Sequence, residues 1–142
     1  MRAMPKQFAT GLAVLALVMA AFVSGCGSGK QAAGTPASSV DGLVAQLKSA
    51  GLTPGPFAPV EMPALGAGKC QRGDVSGVEL TVCSYADAAQ AKKAESAGLG
   101  LVGDNTGASL AQGALLLVVA DRKNVDKDGK KIDQVTRALR GQ

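Results

Sequence analysis

The sequence contains no histidine and no tryptophan, one tyrosine and three phenylalanines. Without His, the chain has neither the commonest general base nor the commonest transition-metal ligand. With Tyr85 as the single Tyr, aromatic platforms for stacking bases or sugars are hard to assemble. Charge of one sign is not concentrated either: 15 Lys and Arg stand against 11 Asp and Glu. Two of the cations, Arg2 and Lys6, precede an apolar run, and the rest form no long block, so nucleic acid is not an expected partner. No cofactor is expected. Cysteine is scarce and odd in number, with Cys26, Cys70 and Cys83 the three. A length of 142 residues leaves room for one domain and little more. Ala and Gly are plentiful, so the core must be built from small, closely approaching side chains, with Leu and Val for bulk.

Long hydrophobic runs are limited to one. Phe8 to Val23 holds 16 residues, of which only Thr10 and Gly11 are not strongly apolar. A membrane-crossing helix wants roughly 20. A short run behind Arg2 and Lys6, closed by small residues, fits a secretory signal over residues 1–25. The closing residues, Val23-Ser24-Gly25-Cys26, resemble the lipobox of bacterial lipoproteins. That resemblance covers the first 26 residues only. It implies cleavage before Cys26, a diacylglyceryl thioether on the Cys26 sulfur and a fatty acyl chain, palmitate for example, on the new amino group. One acyl chain binds a membrane marginally and two or three hold firmly. Gly27 follows, at the position where the family's sorting rules in many diderm bacteria read an Asp as inner-membrane retention. The resemblance therefore implies an outer-membrane destination in the cell envelope of a host that has an outer membrane.

Residues 27–39, GSGKQAAGTPASS, have no apolar period and read as a flexible tether. Such a chain has a root-mean-square span of about 20 Å. Residues 40–142 then form the folded part. Val40, Leu43, Val44 and Leu47 make a helix stripe over 39–50, with Ser38 and Asp41 spaced as a capping box and Gly51 as its stop. Four prolines in 52–68 exclude a helix there and predict an extended crossing over the surface.

The segment KCQRGDVSGVELTVC, residues 69–83, predicts a hairpin turning at Ser76-Gly77. In that register Cys70 lies directly opposite Cys83, in a non-hydrogen-bonded pair with Cα atoms about 4.5 Å apart. A disulfide between Cys70 and Cys83 is then feasible. The same register sends Val75, Val78, Leu80 and Val82 to one face and Arg72, Asp74, Glu79, Thr81 and both cysteines to the other. It carries one cost, because Asp74 faces Glu79. If Cys26 is spent on lipid, the two remaining thiols pair.

A helix is predicted over 85–97, capped by Ser84 and Asp87 and stopped by Gly98. A strand at 107–111, a turn at Gln112-Gly113 and a strand at 114–120 follow. The unbroken apolar run Leu115–Val119 indicates a central strand covered on both faces. Ile132, Val135 and Leu139 mark a last helix at 130–140. The order α-β-β-α-β-β-α predicts an α+β domain with about four antiparallel strands from two hairpins.

Several motifs suggest chemistry without completing it. Arg72-Gly73-Asp74 spells an adhesion tripeptide but falls within a strand. Asn124, Asp126, Asp128 and Gly129 match the opening of a calcium loop, yet Val135 replaces the bidentate Glu and Lys127, Lys130 and Lys131 oppose a cation. Ser76, Ser109 and Lys92 have no partner base in the sequence. The expected function is that of a non-catalytic, lipid-anchored accessory module binding a protein of the envelope. The rival is a periplasmic small-ligand-binding domain or enzyme whose sheet and Pro-rich crossing frame a pocket.

Overall fold

The computed structural model describes residues 37–142. The expectations for the signal segment, Cys26 and most of the tether lie outside the described residues. The first helix, α1 (Val40–Ser49), starts one residue later than a Ser38 cap implies. Ser39 is the cap, and its hydroxyl accepts the Gly42 N–H at 3.2 Å. Its end is a Schellman motif. Gly51, at φ 76°, donates to Lys48, and Leu52 donates to Leu47. The turn drives Leu52 into the core beside Leu43 and Leu47.

Five antiparallel strands follow rather than about four: β1 (Ala58–Val60), β2 (Lys69–Val75), β3 (Val78–Ser84), β4 (Gly107–Gln112) and β5 (Leu115–Ala120). They lie in the order β1-β2-β3-β5-β4. The extra strand comes from the Pro-rich crossing. Ala58 pairs with Arg72 and Val60 with Cys70, while Pro59 opposes Gln71, whose backbone bonds are made to β3. The N–H that Pro59 lacks would have pointed off the sheet, so proline costs nothing on this edge. A 3-10 turn at Pro63–Leu65 returns the chain to β2.

The β2–β3 hairpin has the predicted register, including Cys70 opposite Cys83 and Asp74 opposite Glu79. Both loop residues take positive φ, Ser76 at 53° and Gly77 at 97°, as a tight two-residue turn requires. In the second hairpin the loop is Gly113-Ala114, one residue later than expected, and Gln112 pairs with Leu115. The helical stretch before it is broken in two. Asp87, not Ser84, caps α2 (Ala88–Lys93) by accepting from Gln90 at 2.8 Å, and α3 (Glu95–Val102) continues through Gly98. Gly98 is therefore a packing residue and not a stop, and the helix runs on through Leu99–Val102. A fourth helix, α4 (Lys130–Leu139), closes the chain.

Two cores result, one on each face of the sheet. Alternate residues of β5 serve both: Leu115, Leu117 and Val119 join α1 and α4, while Leu116, Val118 and Ala120 face the opposite core with Cys83 and α3 Val102. That is why the β5 run has no polar gap. Gln46 of α1 donates to the Ala138 and Leu139 carbonyls at 2.7 and 3.3 Å, joining α1 to the end of α4, where Ala138 also accepts the Gly141 N–H. Among the described residues, no helix is long and apolar enough to cross a membrane.

Candidate functional site

Cys70 and Cys83 form a disulfide with Cα atoms 4.1 Å apart. It is buried, with Cys70 7% and Cys83 0% exposed. Its place in a packed core suits a structural bond. Cys70 nevertheless forms part of the wall of a groove of about 630 Å³, where the Pro-rich crossing meets β2. Val60, Met62 and Pro63 give this groove an apolar side, and Glu61 and Lys69 stand at it as charges. Its volume lies in the range that holds small ligands. Tyr85 donates to the Leu65 carbonyl at 2.8 Å and so ties the 3-10 turn down over the disulfide.

A second cavity, of about 220 Å³, opens near the other end of β2 and β3. Arg72, Asp74, Glu79, Arg122 and Lys123 line it. The hairpin register forces the two carboxylates side by side, which alone would be unfavourable. The side chains around them resolve the cost. Lys123 Nζ lies 2.7 Å from Asp74, and the Nε atoms of Arg72 and Arg122 each lie 3.5 Å from the same Glu79 oxygen. Hydrogen bonding by Lys123, with help from the Gly77 N–H and against some desolvation, holds the Asp74 carboxyl below its usual range. The register foretold Asp74 facing Glu79 with Arg72 on the same face, but the contacts of Arg122 and Lys123 were not visible in the sequence, because these two come from the segment after β5.

The calcium-like segment is put to a different use. Asp126 is buried, and its carboxylate accepts the Ile132 N–H at 2.9 Å. It thus caps α4, whose own cap position is the side-chain-free Gly129. Asp121, also buried, accepts from Val125 and Asp126 at 3.0 and 2.6 Å and fixes the loop that delivers this cap. Asp128 is exposed and pairs with Lys130 at 3.3 Å. Asn124 sits at φ 55° within the same loop. Among the described residues, no three His, Cys, Asp or Glu side chains gather as a metal site.

The remaining sequence candidates are placed apart from one another. Arg72-Gly73-Asp74 lies in β2, with the Phe57 ring stacked against Gly73. Ser76 Oγ accepts the Thr53 N–H at 3.1 Å. The Ser109 hydroxyl is buried beneath α3 Gly98, with no hydrogen-bond partner among the described residues. Lys92 pairs with Glu95 at 2.6 Å. No nucleophile meets a base in this set.

The carboxylates set an acid limit to stability. Burial raises the Asp121 carboxyl, but its backbone N–H bonds outweigh this and leave it lowered. Glu95 is lowered by Lys92 and by the Ala111 N–H, and Asp74 is lowered as described. Each of these groups binds a proton less readily folded than unfolded. Their stabilisation is complete above about pH 5 and is lost as pH falls through the folded values. Thermal unfolding followed by circular dichroism should give a flat midpoint above that pH and a steep decline below. Asp121→Asn should lower the midpoint by several degrees at neutral pH and shallow the acid decline. A decline of unchanged slope in Asp121→Asn would assign the acid limit to other groups.

No protein-family model matches this chain, and no curated protein and no solved structure matches it.

Proposed function

We propose that this chain is an exported, lipid-anchored lipoprotein of the cell envelope, whose α+β domain is a non-catalytic accessory module that binds a protein or another envelope component. The observation that carries the reading is Val23-Ser24-Gly25-Cys26 behind a short apolar run. The Cys70–Cys83 bond supports it from a separate direction. Disulfides persist in oxidising compartments, which an exported chain reaches. Pairing these two also leaves Cys26 as the one thiol available for lipid. Residues 27–36 have the composition of a tether that would hold the domain near the membrane, at the outer membrane if the host has one, while Ala37 and Ser39 already belong to the folded part.

Intact-mass analysis of detergent-extracted protein, with and without reduction, tests both sulfur assignments. The expected species begins at Cys26, carries the mass of two or three acyl chains, and gains two hydrogens on reduction. A species that still begins at Met1, or that lacks lipid mass, overturns the anchor.

The groove of about 630 Å³ favours a second reading, a small-ligand-binding domain. A thermal-shift screen of metabolites and metals would raise the midpoint strongly if that reading holds, and would leave it unmoved if the domain only binds macromolecules.

A further inference from the structure

We propose that the cavity between Arg72, Arg122 and Lys123 binds a phosphate-type oxyanion. Neutralising the Asp74–Glu79 pair requires two positive charges. The site gathers four: Arg72, Arg122 and Lys123 line it, and the Lys131 ammonium lies against Gly77, close enough to act on Asp74. Two cations are therefore in excess of what the hairpin register demands.

The geometry of the guanidinium groups points the same way. An Arg that serves a carboxylate fully does so bidentately, with both contacts near 2.8 Å. Here both arginines touch Glu79 only through Nε, at 3.5 Å. The Nε of Arg72 is shared with Thr81 Oγ1 at 3.2 Å, and its Nη2 meets only the weakly accepting Met62 sulfur at 3.7 Å. Arg122 gives Nη2 to the Leu101 carbonyl. Among the described residues, the Nη end of Arg72 and Nη1 of Arg122 have no oxygen partner. Their fork donors are matched to a planar or tetrahedral oxyanion. A cavity of about 220 Å³ is smaller than the clefts that take drug-sized ligands, and admits an ion or a headgroup phosphate. Free phosphate and the phosphodiester of an anionic lipid share that chemistry.

Isothermal titration calorimetry on the full chain in non-ionic detergent, at fixed ionic strength, distinguishes the sources. One arm uses inorganic phosphate, the other glycerophosphoglycerol, the water-soluble headgroup of an anionic lipid. Saturable binding of either probe, weakened about tenfold or more by Arg122→Gln and by Arg72→Gln, is the expected result. The probe that binds identifies the source. Glu79→Gln removes the competing carboxylate and should tighten binding, whereas a purely structural cluster would lose thermal stability with no gain in affinity. Lys92→Gln, remote from the cavity, should change nothing. Arg122 is exposed, so its variant keeps the test alive if Arg72→Gln fails to fold. No saturable binding to either probe, or equal binding in Arg122→Gln and the parent chain, overturns the proposal.

Discussion

Replacing Cys70 and Cys83 together by alanine is expected to lower the unfolding free energy by about 2–3 kcal/mol. The bond joins residues 13 apart in sequence. Closing a loop of that size in the unfolded chain is worth about 3 kcal/mol in the chain-entropy model, and less if the tight Ser76-Gly77 turn keeps the hairpin partly formed when unfolded. Both sulfurs are buried against Leu116 and Leu65 in the same core, so the double variant also leaves unfilled space. A domain of this size has about 5–15 kcal/mol in total, so it should remain folded at room temperature. Urea unfolding of the parent, oxidised and reduced, and of the Ala–Ala variant would measure the loss as a lower midpoint. Equal midpoints for oxidised and reduced protein would mean that the bond constrains nothing in the unfolded chain.

A larger loss is expected from Gly107→Ala, on the order of 3 kcal/mol or more. Gly107 opposes Ala120 where α3 crosses the sheet. A Cβ there would meet the Val119 carbonyl oxygen and a Val102 methyl, both well inside van der Waals contact. The carbonyl belongs to β5, which is paired on both sides by β3 and β4, and cannot move without breaking its ladder. Gly98, on the facing side of α3, has the same role against Ser109, Leu116 and Val118, the nearest Val118 methyl carbon lying 3.0 Å from a Cβ placed at this position. The two glycines let helix and sheet approach more closely than any side chain permits. Gly100, in the same helix, has nothing within 4 Å of an added Cβ. Gly100→Ala should therefore be neutral or stabilising by up to about 1 kcal/mol. Thermal unfolding of the two variants separates close packing from helix propensity. Similar midpoints for Gly107→Ala and Gly100→Ala would defeat the close-approach account.

These two glycines also mark where local reading stops. Gly98 follows an Ala-rich stretch, and glycine after a helix is a common stop signal. Only the presence of Ser109 and Val118 beneath it explains why the helix continues. The Pro-rich crossing is similar. Four prolines argue correctly against helix, but whether such a segment pairs depends on the strand beside it. Here β2 supplies the template, and Pro59 falls where no donor is needed. The calcium-like Asp126 was legible as a loop acid near a helix start. Its use as the cap of α4, held in turn by Asp121, depends on a bend that spacing alone does not describe. The charged cavity was the least legible feature, because its members come from β2, β3 and the segment after β5.

What the sequence determined by itself is the set of features governed by neighbours along the chain. These are the Ser76-Gly77 turn and the register that opposes Cys70 to Cys83, the double-faced β5, and the Gly51 stop. In each, a period of two or a required positive φ leaves one arrangement that keeps apolar side chains from water. What the tertiary structure alone decided is where separate segments meet. It made β1 a strand, ran α3 through Gly98, and set the surplus cations around Asp74 and Glu79. Those outcomes follow from close packing and charge balance between residues far apart in sequence, which no local pattern encodes.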